Sequence, residues 1–301
     1  MSRSTRGFQR WIAHDPSTWS FQIFQKYDSE LLTIWGAHRA SARFTYSQLK
    51  KNGADWPDLP RKYFDMNKID WNKYDDLRAW SDAYNLFDNW VNLSVVLTTA
   101  SNLETYLASV IAMALDSDPG LVLGVSKSID GATVLKHRRP AAFQVGQQID
   151  SCTRGDWSSR LDSFEKLFGQ CPKEFRSGHA ELEELRGIRN RVGHAFGRDI
   201  EAARLHGVLQ MIPMEQLTGE RAERLRKSVW FAAKSIDKFL LKNHIGDFET
   251  VRFYHHLYPS LHKHVSTGQR AVYLKKAIGR FGAIPRDKKY CKELVEYWEA
   301  L

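Results

Sequence analysis

The sequence predicts an all-α protein: an up-and-down helical bundle with an N-terminal helical extension and a small basic C-terminal helical appendage. Three observations carry this expectation. Apolar residues recur at steps of three, four and seven across 72–115. Shorter apolar stripes over 156–168, 179–192 and 221–243 are separated by capping residues, glycine or proline. No convincing apolar/polar alternation of a strand interrupts them, so neighbouring helices should run antiparallel. The expected boundaries are 1–70, 71–248 and 249–301.

Along the chain, Asp15-Pro16-Ser17 is a helix-start signature, and Trp19, Ile23, Tyr27, Leu31, Ile34 and Trp35 follow at helical spacing within 16–43. GADWPDLPRKYF (53–64) reads as a loop because of its two prolines and glycine. The long helix that follows places Leu86, Leu93, Val96, Ala100, Leu103, Leu107, Ile111 and Ala114 on its apolar face, with a narrower row of Ser94, Thr98, Ser101 and Thr105 elsewhere. DSDPGLVLG (116–124) ends it, and the segment after that reads either as a basic loop or as a hairpin around Asp130-Gly131. Asp156 or Ser158 caps the next helix, which carries Leu161, Phe164, Leu167 and Phe168 and is closed by Gly169 and Pro172. Helix 221–243 shows Leu225, Val229, Ala232 and Ile236 as a core stripe. The tail from Glu249 holds ten Lys or Arg against five Asp or Glu, with helical patterns near 267–279 and 287–300.

Composition narrows the class. The 301 residues are 43% hydrophobic and 26% charged, enough apolar material for a full core. Lys plus Arg number 44 against 35 Asp plus Glu, a net +9 that favours polyanionic partners, nucleic acid first. Cys152, Cys171 and Cys291 are odd in number and far apart, with no CxxC pair. With no secretory leader pattern and no long uninterrupted apolar run, a cytoplasmic protein away from the membrane is expected. HHLYPSLHKH (255–264) lacks a ligand set at metal-site spacing, and Gly124-Val-Ser-Lys-Ser128 lacks the glycine spacing of a phosphate loop.

The stretch with chemistry in it is RNRVGH, 189–194, directly after the acidic helical run AELEELRGI. On an ideal helix Arg189 and His194 stand about 140° apart, whereas Asn190 and His194 share a face. Local unwinding at Gly193, or the reach of the arginine stem, would bring the three together. A histidine titrating at about 6.5 can move protons near neutral pH. The planar arginine fork matches phosphate oxygens and opposes charge that develops on them, and asparagine can orient the histidine or bond the phosphate. Together they suit RNA phosphodiester cleavage, a scheme that calls for no metal or cofactor. The competing reading is a polar helix end, with Arg189 and Arg191 paired to Glu181, Glu183 or Glu184 and His194 favouring the helix dipole.

Arg189, Asn190 and His194 resemble the Arg-Asn-x-x-x-His signature of the HEPN superfamily, with helices before and after it over roughly 75–245. The resemblance implies a HEPN-like bundle that dimerises so that two motifs share a cleft. It also implies a metal-independent endoribonuclease leaving a 2′,3′-cyclic phosphate and a 5′-hydroxyl, of the kind found in toxin–antitoxin, abortive-infection and antiviral systems. An antitoxin or regulatory protein would then restrain it.

Other residues attach to this site as expectations. Glu104, beside the apolar face of the long helix, calls for a cation, with Arg189 or Arg186 as the natural partner. Arg191, Arg198 and Arg204 would extend an RNA-binding surface. Two alternatives stay open: a non-catalytic nucleic-acid-binding module that works through 249–301, and an inactive HEPN-like scaffold for a separate regulator.

Overall fold

The computed structural model describes residues 7–67, 73–137, 145–195, 213–260, 265–281 and 284–301, and of residues 194, 195, 260 and 281 the backbone. The helices are α1 (Trp19–Lys51), α2 (Leu77–Ser117), α3 (Gly131–Lys136), α4 (Gly146–Thr153), α5 (Trp157–Phe168), α6 (Lys173–Ser177), α7 (His179–Ala195), α8 (Gly219–Leu240), α9 (Phe248–Leu257), α10 (Thr267–Phe281) and α11 (Lys288–Ala300). Short 3-10 turns and one π turn, Leu241–Ile245, connect some of them, and no strand occurs among the described residues. The fold is all-α.

Packing divides the chain into two compact units. The first comprises Met1–Phe24, Leu103–Ala180 and Trp230–Leu301; the second comprises Gln25–Asn102 and Glu181–Val229. Helices α1, α2, α7 and α8 therefore each contribute residues to both.

In the first unit the C-terminal part of α2 buries Leu103, Leu107, Val110, Ile111 and Ala114 completely. Each buried leucine, isoleucine or valine side chain among them stabilises the fold by about 2 kcal/mol relative to exposure. Helix α5 starts where Asp156 accepts the Ser159 amide at 2.9 Å, and ends at Gly169, whose φ of +76° suits a residue without Cβ. The segment around Asp130 is neither loop nor hairpin. Asp130 accepts the Ala132 amide at 2.9 Å and caps α3, because an aspartate in extended backbone ahead of a helical run offers its carboxylate to the free amides.

Residues 249–301, expected as an appendage, lie inside this first unit. Their helices bury Ala271, Leu274, Ile278, Leu294, Val295 and Trp298. They are tied in by Arg286 on Asp15 at 2.5 Å, Tyr297 on Asp130 at 2.9 Å and Lys136 on the Trp298 carbonyl at 2.7 Å. The N-terminal segment is tied in as firmly. Arg10, 2% exposed, donates to Asp130 at 2.7 and 2.9 Å, to the Ser117 hydroxyl at 2.8 Å and to the Ser117 carbonyl at 2.5 Å. Gly246, with φ +56°, lies where a Cβ would meet the Arg10 carbonyl oxygen at 2.3 Å, so glycine alone fits under this segment.

In the second unit, α1 confirms the helix but not the face its apolar residues mark. Ile23, the preceding-unit neighbour of this stretch, Tyr27 and Ile34 are exposed, while Trp35 is 1% exposed and Asp28 is buried. Asp28 accepts two bonds from Arg226 of α8 at 2.8 and 2.9 Å, and this neutralisation lets a carboxylate occupy the inward stripe. On α2, Leu93, Val96 and Ala100 are buried as expected, whereas Leu86 is exposed. The polar row points to solvent: Ser94 and Thr98 return their hydroxyls to the carbonyls four residues earlier, at 2.8 and 2.9 Å. Helix α2 is by length and composition apolar enough to cross a membrane, and 50% of its most apolar stretch is buried within the protein.

The start of α1, in the first unit, rests on two buried carboxylates. Asp237 accepts the Thr18 hydroxyl at 2.5 Å, and Glu249 accepts the Trp19 amide at 3.0 and 3.1 Å. Burial pushes Glu249 up to about 8, against the pull of the Trp19 amide, and pushes Asp237 up to about 6, against its bonds from Thr18 and Tyr106. Folding therefore favours the protonated acids, and their contribution, intact below the unfolded carboxylate values, is lost as pH rises through 6 and then 8. The melting temperature should fall between pH 5 and 8, and Glu249→Gln should flatten the part of that fall above pH 6. Thermal melts of both proteins across this range check it, and parallel profiles would contradict it.

Candidate functional site

Helix α7 is oriented by a stripe of Leu182, Leu185, Ile188 and Val192, all buried at steps of three and four. That rotation leaves Arg189 and Asn190 half-buried on the flank, and Arg191 and Gly193 exposed. Arg189 Nη1 donates to Asn190 Oδ1 at 3.2 Å, so the first two motif side chains are joined. The helix continues unbroken through Gly193 and residue 194 to Ala195, and the unwinding considered above does not occur. A Cβ on Gly193 would meet nothing within 4 Å, so its glycine is not a packing requirement. Residue 194 lies one helical turn after Asn190. The fold thus brings Arg189 and Asn190 together, and the side chain of His194 lies outside the described residues, as do Arg198 and Arg204.

Behind the motif stands a set of contacts that the sequence alone did not reveal. Arg191 donates from Nε and Nη2 to the two Glu215 oxygens, both at 2.8 Å, in a bidentate pair that raises the arginine's pKa further. Glu215 is in turn held by Asn89 of α2, whose Nδ2 donates to the Glu215 carbonyl at 2.8 Å while its Oδ1 accepts the Leu217 amide at 2.7 Å. Asn92, one turn on, donates to the Leu217 carbonyl at 3.2 Å and accepts the Trp35 indole at 3.1 Å. Asp88 accepts from Asn92 at 3.2 Å and meets His38 Nε2 at 2.8 Å. Helix α2 thereby fixes the segment that returns to α8, and that segment grips the residue next to Asn190. Two asparagines on an apolar stripe were the available signal.

Other acidic residues near the motif have partners of their own. Arg191, expected on RNA, is occupied by Glu215. Glu183 pairs with Arg186, and Glu184 pairs with Arg221 and, at 3.1 Å, with Arg224 of α8. Glu104, in the first unit, meets a cation, Arg160 of α5 at 3.5 Å, a guanidinium also placed over the Trp157 ring. Arg160 is itself buried on that helix's inward face, between Trp157 and Phe164.

Other titratable groups form structural pairs. His244 meets the fully buried Asp118 at 3.1 Å. Burial pushes the Asp118 carboxyl up, but bonds from His244, Ser126 and the Lys127 amide outweigh it and hold the group below the ordinary value. Burial pushes the thiols of Cys152 and Cys291 up to about 11, which makes them poor nucleophiles. Among the described residues no cluster of three or more His, Cys, Asp or Glu is arranged to hold a metal ion. No protein-family description matches the chain, and no curated protein or solved structure matches it at a significant level.

The contacts around Asn89 set an order of stability losses. Asn89→Ala should cost about 1–3 kcal/mol, because it strands a buried carbonyl and amide. Arg191→Ala should cost less than about 1 kcal/mol, since its pair with Glu215 is half-exposed. Urea denaturation of the two variants checks the order, and an Arg191 loss larger than the Asn89 loss would contradict it.

Proposed function

We propose that the chain is a metal-independent endoribonuclease of HEPN type, working in bacterial anti-phage defence or as the toxin of a toxin–antitoxin pair. The observation that carries this reading is the Arg189–Asn190 pair on one flank of α7, one helical turn before residue 194, with its neighbour Arg191 anchored by Glu215. In the proposed reaction the 2′-hydroxyl of one nucleotide attacks the adjacent phosphorus. His194 takes the hydroxyl proton and delivers a proton to the departing 5′-oxygen. The P–O5′ bond breaks as the new P–O2′ bond forms, which yields a cyclic phosphate and a free 5′-hydroxyl. Arg189 holds the non-bridging oxygens as their charge grows. Asn190, already bonded to Arg189, keeps that guanidinium aimed and orients the histidine. The nucleophile belongs to the substrate, so the chain need only position and exchange protons.

The expected test is cleavage of single-stranded RNA or tRNA in EDTA, giving cyclic-phosphate ends, with His194→Ala losing at least two orders of magnitude in rate. Arg189→Lys should also be impaired, because an ammonium cannot form the bidentate contact. Equal, undiminished cleavage by the wild type and His194→Ala would overturn the assignment.

In this reading two copies join to complete the cleft. Support comes from the second unit, where Ile34, Tyr27, Leu86, Phe87 and Trp90 are exposed and a groove of about 380 Å³ runs between α1 and α2. Apolar side chains gathered this closely on a surface mark association sites. Ile34→Glu should convert a dimeric mass to a monomeric one and abolish cleavage while leaving helicity unchanged. Light scattering with a parallel cleavage assay checks it, and a fully active monomer would refute it. A separate antitoxin or regulatory protein belongs to the same proposal.

A further inference from the structure

We infer that the first unit carries a second nucleic-acid site, a cleft between α6 and the C-terminal part of α8 that takes single-stranded RNA. The cleft has a volume of about 500 Å³ and is lined by Lys173, Lys234, Lys238 and Lys242 together with Phe231 and Phe239; Glu174 also borders it. The four lysines are exposed. Other lysines pair along their own helices, Lys227 with Glu223 and Lys292 with Glu296, but these four meet no carboxylate in an ion pair among the described residues.

That arrangement has a cost within the protein alone. Lys234, Lys238 and Lys242 stand four residues apart, so like charges face one another on successive turns of α8 and of the π turn that extends it. A polyanion lying along the row would relieve that repulsion and release counterions. The aromatic rings choose among polyanions. Phe231 is 56% exposed at the end of the row and Phe239 is half-buried in its floor, which offers faces for unstacked bases beside a track for phosphates. An acidic peptide would use the lysines and leave the rings idle. A duplex would present no free base to them. The inference shares with the nuclease reading only the class of ligand, and it does not depend on catalysis at the motif.

The experiment uses the full chain carrying His194→Ala, in EDTA, with a fluorescein-labelled 12-nucleotide single-stranded RNA followed by anisotropy over a range of salt. Adding Lys234→Gln, Lys238→Gln and Lys242→Gln should weaken binding at least tenfold and flatten the slope of log affinity against log salt by about 2, three phosphate contacts at about 0.7 each. Phe231→Ala should weaken binding several-fold with the slope unchanged. All four residues are exposed, so folding should survive, and matching circular dichroism confirms it. Unchanged affinity and slope in the lysine variant would overturn the site. Equal displacement of the RNA by a poly-glutamate peptide of the same charge would overturn the choice of RNA. The outcomes separate from those at the motif. A wild type that binds through these lysines yet never cuts leaves the cleft standing and removes the nuclease reading. Cleavage that needs His194 but tolerates the lysine variant, with RNA binding unchanged, does the reverse.

Discussion

One side-chain amide, that of Asn89, sets the geometry around the motif. Asparagine carries both a donor and an acceptor, so it can satisfy a backbone carbonyl and a backbone amide at once, as an adjacent strand would. Here it takes the Glu215 carbonyl and the Leu217 amide, and Asn92 takes the Leu217 carbonyl from one turn further along α2. A buried polar group on an apolar helix is tolerated only when it is bonded. Both asparagines are therefore committed to one position of the returning chain. Because the Glu215 backbone is fixed in this way, its carboxylate meets Arg191 near the C-terminal end of α7 from a definite direction. The chemistry proposed for Arg189 and Asn190 would draw on that anchoring.

The first unit uses the same device with charges. Arg10 reaches from the N-terminal segment to the end of α2 and to the cap of α3, so three pieces of chain distant in sequence share one guanidinium. Asp237 and Glu249 receive the first amide and hydroxyl groups of α1, where the helix dipole favours negative charge although burial disfavours it. The opposing effects leave groups that titrate near neutrality inside a packed core. They also explain why 249–301 is no detachable tail: Glu249 itself, with Arg286 and Tyr297, belongs to these contacts. Removing the segment to look for lost binding would take Val251, Leu274, Ile278 and Trp298 out of the core of the unit and dismantle it, so point substitutions are the informative tools.

The sequence made the helices legible because each long one carries a sustained apolar period, and Asp156 and Gly169 announce both ends of α5. It misplaced the inward face of α1 because a buried aspartate does not look buried until Arg226 is seen beside it. It left Asp130 ambiguous because the same residue types start hairpins and cap helices, and only Arg10 and Tyr297, 120 and 167 positions away, decide between them. The motif was legible as residues and partly as geometry. Its spacing implied that Arg189 stands apart from residue 194, and the unbroken helix keeps that spacing. What stands behind the pair is Asn89 and Glu215, and an asparagine on an apolar stripe announces a buried bond without naming its partner.

Arginine and lysine are used differently across the chain, and the difference bears on how RNA would be handled. Many arginines are already committed to carboxylates: Arg10, Arg160, Arg191, Arg221, Arg226 and Arg286 each answer a named acid. The planar fork suits that work, since it fixes direction as well as charge. Lys234, Lys238 and Lys242 are the opposite case, point charges on flexible stems with no carboxylate in an ion pair among the described residues. Such lysines suit the task in which orientation matters least, holding a backbone regardless of sequence. Orientation matters most at the scissile phosphate, and there the proposed clamp is an arginine whose own direction is set by Asn190. In the proposed scheme, loose capture by lysine and strict positioning by arginine are compatible within one helical fold because the two tasks would occupy different helices.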